Sequence, residues 1–373
     1  MTVRTAPPFR ADHVGSLLRP PELLRAREDR SQGRISAADL RRVEDQAIRK
    51  IVTMQEGVGL RSATDGEFRR ASWHMDFIYQ IGGIEKTAGN IAVRFRNEQG
   101  VIEFTPAALH VAEKLRLDRT IFGEDFAFLK SVTTNTPKLT IPSPSMVHYR
   151  GGRAAIDEKI YPDLDSFYHD LAAVYAREIA ELAKLGCTYL QLDDTSLAYL
   201  NDPSQREYIA SQGGDAEHQH EIYIRLINEA IANKPAGMTI CTHSCRGNFR
   251  SSWAASGGYD YVAEAVFGRL GVDGFFLEYD DARSGTFEPL RFVPKGKVVV
   301  LGLVTTKRGA LEKKDDLKRR IEQATRYVPL EQLCLSGQCG FSSTVEGNDV
   351  TVEDERAKLS LCVGLARDVW GGL

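Results

Sequence analysis

The chain has little of what marks secreted, membrane or nucleic-acid-binding proteins. Its six cysteines are scattered through 373 residues, too thinly for a disulfide scaffold. No apolar run approaches the roughly 20 residues that span a bilayer, so no membrane partner is expected. Lys and Arg (48) nearly balance Asp and Glu (51), for a net charge of −3 with no basic stripe, which argues against nucleic acid. The opening MTVRTAPPFRADHVGS has no apolar core of a secretory leader, so the expected location is the cytoplasm. No glycine-rich phosphate loop follows the first apolar run, which counts against a dinucleotide-binding sheet. Repeats, low-complexity tracts and linkers are absent, and one domain over residues 1–373 is expected.

What is present is an alternation. Eight short apolar runs start near Ala11, Ser62, Lys138, Tyr189, Gly237, Gly274, Val298 and Leu333. They are continuous rather than alternating, as parallel strands buried on both faces are. Segments of helical period separate them. From Ser36 to Gly57, a Ser36-x-x-Asp39 start resembles a capping box, and Leu40, Val43, Ala47, Ile51 and Met54 form one stripe. From Asp165 to Gly186, Phe167, Leu171, Val174, Ile179, Leu182 and Leu185 recur likewise, with helical patterns again at 217–232, 259–270, 315–327 and 353–369. The predicted fold is a single (β/α)₈ barrel. A long excursion after the second strand, about Ile78 to Asn135, includes AVRFRNEQGVIEF, which predicts a β-hairpin turning at Glu98-Gln99-Gly100 over the active-site face.

Barrel enzymes carry their chemistry at the C-terminal ends of the strands. Those ends read Gly15-Ser16, Asp65-Gly66-Glu67, Pro142-Ser143, Asp193-Asp194, His243-x-Cys245, Glu278, Thr305-Thr306-Lys307 and Cys339. A barrel needs none of these for stability. Whereas Cys187, Cys334 and Cys362 lie in apolar stretches, Cys245 and Cys339 lie in polar, glycine-containing ones. Two residues apart on an extended segment, His243 and Cys245 point the same way. With Glu278 and Cys339 they supply the donors for tetrahedral Zn²⁺. Two thiolates and a carboxylate leave such a complex with net charge −1, unsuited to making hydroxide but suited to taking up a substrate thiol as thiolate.

CTHSCRGNF, FFLEYDD and LSGQCGF resemble the His-x-Cys, Glu and Cys-Gly zinc motifs of the cobalamin-independent methionine synthases, in the order of that family's catalytic C-terminal barrel, from about Ala11 to Trp370. The resemblance implies zinc-dependent methyl transfer from a carrier to homocysteine. HVGS, with His13, Gly15 and Ser16, is similar to the segment that holds the homocysteine carboxylate. DGE and LDD resemble the segments that bind its amino group, which makes Glu67 and Asp193 the amino-acid clamps. An ammonium wants carboxylates and a carboxylate wants N–H and O–H donors. The likeness is weaker elsewhere. The family's N-terminal barrel has no counterpart. Aligned on Pro142, His148 stands where the family has a folate-stacking tryptophan, and the stretch through Tyr199 lacks the folate-binding glutamate. Lys307 replaces a proton-donating histidine, which places Asp193 and Lys307 as catalytic and His148 as donor-binding.

The expected enzyme is therefore a homocysteine S-methyltransferase with zinc, whose methyl donor the sequence leaves open among a folate, methylcobalamin on a partner protein and a small methylated metabolite. Transfer to another thiol, such as coenzyme M opening an epoxide, is the alternative, and a purely structural zinc is the third. Asp280, Asp281 and Arg283 are expected to orient Glu278 or its loop by ion pairing. His218 and His220 are expected at the surface.

Overall fold

A computed structural model of the chain describes residues 4–89 and 91–372. Seven parallel strands curl in chain order into one sheet: β1 (Ser62–Ala63), β2 (Thr136–Pro142), β3 (Tyr189–Asp194), β4 (Thr239–Ser244), β5 (Gly274–Glu278), β6 (Val298–Val304) and β7 (Leu333–Gly337). The eighth position, between β7 and β1, is taken by the segment 11–17. It is bridged in parallel from Ala11 to Leu335 and hydrogen-bonded from Leu17 N–H to the Gly66 carbonyl. The fold is the (β/α)₈ barrel of the sequence reading, with one irregular stave.

That stave departs from the regular strand expected for ADHVGSLL because backbone bonds hold only its ends (Asp12 N–H to the Leu335 carbonyl, Leu17 N–H to that of Gly66) while side chains satisfy its middle. Gln191 donates to the Val14 carbonyl (2.7 Å), Thr64 to that of Gly15 (2.6 Å) and Lys138 to that of His13. The His13 N–H goes to the Asp12 carboxylate (2.8 Å). Lys138 and Asp12 are themselves fully buried, 3.4 Å apart.

Side-chain parity along the strands positions the site. Tyr189, Cys241, Phe276, Val298, Val300 and Cys334 pack together with Val14 inside the barrel, while Leu190, Ile240, Phe275, Val299 and Leu335 pack outward into the helical layer. Counting by twos from the inward set carries Tyr189 to Asp193, Cys241 to His243 and Cys245, and Phe276 to Glu278. All four polar residues therefore project from the inner wall at the C-terminal mouth.

The helices follow their sequence signals. Ala37–Val58 starts with the Ser36/Asp39 capping box, and Leu164–Lys184, Gln219–Ile231, Ala263–Arg269, Lys314–Ala324 and Val352–Trp370 overlap the predicted segments, some running one residue past their ends. One crossover differs. Between β5 and β6 there are only the short 3₁₀ turns Ala282–Ser284 and Glu288–Phe292, where Pro289 and Pro294 leave no room for an α-helix. The predicted hairpin is present as Val93–Asn97 paired with Gly100–Phe104. A second ribbon that the sequence did not announce, Gly82–Thr87 with Ala108–Arg116, carries it. The hairpin is pinned to the loop after Cys245: Arg96 and Trp253 exchange both backbone hydrogen bonds (2.7 and 2.9 Å), and Asn97 donates to Ser252. No described helix is long and apolar enough to cross a membrane.

Glu355 in the final helix links fold to pH. It is fully buried and accepts the Leu18 N–H (2.8 Å), and its other oxygen has no hydrogen-bond partner among the described residues. Burial pushes its carboxyl up to about 8. Between its unfolded value near 4.5 and about 8 the unfolded chain loses this proton while the folded one keeps it, so stability falls with rising pH across that window. Glu355→Gln keeps the acceptor and removes the penalty. It should gain on the order of 3 kcal/mol over wild type at pH 8.5 and almost nothing at pH 4.5. Denaturation midpoints measured at both pH values check this; an equal gain at both would refute it.

Candidate metal centre and substrate cavity

The donor atoms of His243, Cys245, Glu278 and Cys339 lie within 4.8 Å of one another, all four residues buried. The Cys245 and Cys339 sulfurs are 3.5 Å apart. Neither ring nitrogen of His243 nor Oε2 of Glu278 has a hydrogen-bond partner among the described residues, although unpaired buried polar atoms are costly. The sulfurs share one proton: the hydrogen bond between them holds Cys245 well above and Cys339 well below the ordinary thiol range. Burial works against protonating His243, but Cys339, then Asp193 and Glu278, outweigh it and raise its pKa. The cluster carries more negative charge than its own protons neutralise, which is the donor chemistry of a cation site.

Supporting contacts fix these donors. Arg246 is almost wholly buried. Its N–H donates to Glu278 Oε1 (2.9 Å), and its guanidinium donates to the Glu278 carbonyl and the Tyr259 hydroxyl. Arg283 lies 3.9 Å from Glu278 Oε2 and 3.3 and 3.1 Å from Asp280 and Asp281, the bracing role read from the sequence. The Gly247 N–H donates to Cys245 Sγ (3.3 Å). Glycine is required there twice over, since φ is +89° and a Cβ would sit 2.7 Å from the Tyr199 hydroxyl. A Cβ on Gly340 would fall 1.9 Å from Ser16 Oγ, which accounts for the Cys339-Gly340 pair: the metal-side loop and the first stave touch through it.

His243, Cys245 and Cys339 open onto a cavity of about 340 Å³ that Ser16, Glu67 and Asp193 also line. Glu67 is a buried non-glycine residue at φ 60°, a strain found where function over-determines the backbone. Its Oε1 accepts from Thr140 (2.9 Å) and lies 3.7 Å from Arg70, and Oε2 has no hydrogen-bond partner among the described residues. Asp193 accepts from Gln191 (2.7 Å). Burial raises both carboxyls; the Asp65 charge adds to the rise at Glu67, and the Glu67 charge adds to that at Asp193, which reaches about 7. Their neighbours Asp65 and Asp194 do the local capping instead, accepting the Glu67 and Leu197 N–H groups.

Other sequence candidates lie elsewhere. Val14 and Ser16 face the cavity, but His13 points behind its wall, among Gly337, Phe341, Leu359 and Cys362; burial, then Lys138, pushes its ring down to about 4. His148, in the short helix Ser145–Tyr149, turns into the core, hydrogen-bonded to Tyr223 (3.0 Å) and edge-on to Tyr168. Lys307 faces a separate cleft with Thr305, Asp280 and Asp281. It is buried, its ammonium has no hydrogen-bond partner among the described residues, and its charge is felt at both thiols. His218 is exposed and His220 half-buried. The sequence reading missed Arg150 and the aromatic side of the cavity, Trp73, Phe95, Phe104 and Phe249. Alternation in the hairpin could have offered Phe95 and Phe104, but nothing in the sequence says which face looks down.

Comparison with known proteins places this geometry. Residues 9–366 match the family described as cobalamin-independent synthase, catalytic domain. The uncharacterized protein YxjH of Bacillus subtilis is 47% identical over 365 residues, 97% of this chain and 95% of that one. A methionine synthase of Pyrococcus abyssi is 26% identical over 330 residues, 88% and 85% of the two chains. A crystal structure from Listeria monocytogenes, assigned to the vitamin-B12-independent methionine synthases, superposes with a TM-score of 0.79 at 39% identity, covering 99% of this chain and all of that one. By the extent of the family match, and by its barrel, the chain belongs to the cobalamin-independent synthase catalytic domains and is an enzyme of their methyltransferase type.

Proposed function

We propose that this enzyme methylates the sulfur of homocysteine to give methionine, with a zinc ion held by His243, Cys245, Glu278 and Cys339. The observation that carries the reading is one cavity with a thiolate-rich donor set at its floor and two buried carboxylates, Glu67 and Asp193, on its wall. The donor set fits zinc: two sulfurs 3.5 Å apart, and, among the described residues, an imidazole whose nitrogens have no hydrogen-bond partner and a carboxylate oxygen without one. Zinc bound there supplies Lewis acidity that keeps a substrate thiol ionised at neutral pH.

The protein's own groups do the rest. Glu67 and Asp193 grip the α-ammonium, which relieves the repulsion between them. Ser16 and the backbone beside Gly15 receive the carboxylate. The hairpin excludes water, and the Gly247 N–H steadies Cys245. The P. abyssi relative, a methionine synthase, supports this substrate. A sulfonate thiol such as coenzyme M would meet the two carboxylates with no ammonium to offer, which disfavours that alternative. A purely structural metal has no need of a cavity opening onto three of its ligands.

Calorimetry tests the assignment. Homocysteine binding to the zinc-loaded enzyme should release close to one proton, seen as a heat that scales with buffer ionisation enthalpy, while coenzyme M should bind at least tenfold more weakly. Tight coenzyme M binding with no heat from homocysteine would transfer the site to the other thiol.

A further inference from the structure

In the helix that follows β2, residues two apart face nearly opposite ways. That is why His148 enters the core and Arg150 enters the cavity. Arg150 lines both the metal-side cavity and an adjoining one of about 290 Å³ that shares His74, Met75, Pro106 and Ala107 with it. Its guanidinium makes no hydrogen bond or ion pair with the described residues. The groups its charge reaches are uncharged ones: His74, Tyr149, Tyr199 and Tyr208. The metal-side cavity also holds the carboxylates of Glu67, Asp76, Asp193 and Glu346, but none pairs with Arg150 and the adjoining cavity has none, so this half-buried guanidinium is a receptor for an anion.

Part of the same cavity wall is aromatic. Phe104 stacks on Phe249 at 4.8 Å between centroids, Phe95 leans on the same ring at 5.2 Å, and Trp73 completes the lining. Aromatic faces attract methylated cations, and the carboxylates of Asp76 and Glu346 on the same wall draw a cation the same way. The cavity thus combines aromatic rings and carboxylates with two cations, Arg150 and Lys86, of which Lys86 sits over the Tyr79 ring. Burial, then Arg150, pushes His74 down to about 3, so this histidine stands neutral and has no proton to give a basic leaving group.

Building on the methyl-transfer reading, we infer that the methyl donor is a small onium carboxylate, a methylated sulfonium or ammonium, with its cationic head against Trp73, Phe95, Phe104 and Phe249 and its carboxylate on Arg150. The reaction balances without acid catalysis. The homocysteine thiol gives its proton to solvent and its sulfur forms the new bond to the methyl carbon. The methyl–onium bond breaks with its electron pair going to the donor heteroatom, which leaves as a neutral sulfide or amine.

The test is methionine formation from homocysteine on the zinc-loaded enzyme with dimethylsulfonioacetate and glycine betaine, their methyl esters, methyltetrahydrofolate and methylcobalamin. Wild type should turn over at least one onium acid, with its ester at least 30-fold poorer in kcat/KM. Arg150→Gln should raise KM for the acid by a similar factor, erase the acid–ester difference and leave calorimetric homocysteine binding unchanged; Arg150→Lys should restore part of the preference. Efficient turnover of methyltetrahydrofolate or methylcobalamin with none from the onium acids overturns the inference while leaving homocysteine methylation standing. Acid and ester used equally well by wild type also overturns it. Failure of homocysteine to bind would remove the function itself, a distinct result.

Discussion

Cys339→Ser is expected to purify with almost no zinc and to form methionine at least about a thousandfold more slowly than wild type, a loss of roughly 4 kcal/mol at about 1.4 kcal/mol per factor of ten. Serine's hydroxyl does not ionise at neutral pH and is a poor ligand for zinc. Cys339 and Cys245 hydrogen-bond to each other, so the two sulfurs act as one coupled pair and the loss of either disrupts both. Cys245→Ser should behave alike, because removing either sulfur from a pair 3.5 Å apart leaves a site with one thiolate. Metal analysis beside methionine quantification decides it: full zinc content in both variants would dissolve the metal-centre assignment. The surrounding fold should survive, since the barrel ladder runs through β7 and ends at Gly337, before Cys339.

The second large effect belongs to Glu67→Gln. KM for homocysteine should rise by about a hundredfold or more with kcat changed far less, since a buried charge-assisted contact to the ammonium is replaced by a neutral one. Glutamine keeps the acceptor that Thr140 uses, and Arg19 still holds the Glu67 carbonyl, so the strained φ of 60° remains supported. A thiol without the amino group, 4-mercaptobutyrate, supplies the control. It should be a poor substrate for wild type and no poorer for the variant. Equal losses with both thiols would mean that Glu67 shapes the cavity rather than reading the ammonium.

How far the sequence could be read follows from parity and its interruptions. His243 and Cys245 stand two apart on a regular strand, and Asp193 and Glu278 end strands whose inward set can be counted from Tyr189 and Phe276; alternation is rigid there, and the strand ends could be read as a site. Ser36-x-x-Asp39 likewise named its own helix start, because a capping box is a contact within four residues. The first stave was not legible in the same way. With its carbonyls bound by Gln191, Thr64 and Lys138, no ladder dictates which of His13 and Val14 looks inward. At His148 the difficulty was angular. A slip of two positions in a five-residue helix is nearly half a turn, and it exchanges a core histidine for a cavity arginine. Lys307 follows the end of β6 at Val304, beyond the reach of strand parity, and there the chain turns its ammonium toward the neighbouring cleft.

The irregular stave gives the barrel an unequal circumference. Six of its joints are backbone ladders, which no substitution short of proline can delete. The two joints of the irregular stave have only isolated backbone bonds at its ends and are otherwise latched by side chains, so their geometry is written in the identity of a few residues: Gln191, Thr64, Lys138 and Asp12. Ser16 sits at the end of that stave, against Gly340 and beside Cys339. Drift in the latch is therefore transmitted straight to the floor of the cavity. A family built on this barrel can retune the distance between its amino-acid seat and its metal ligands by editing the latch alone, without touching a ligand or disturbing the other six joints.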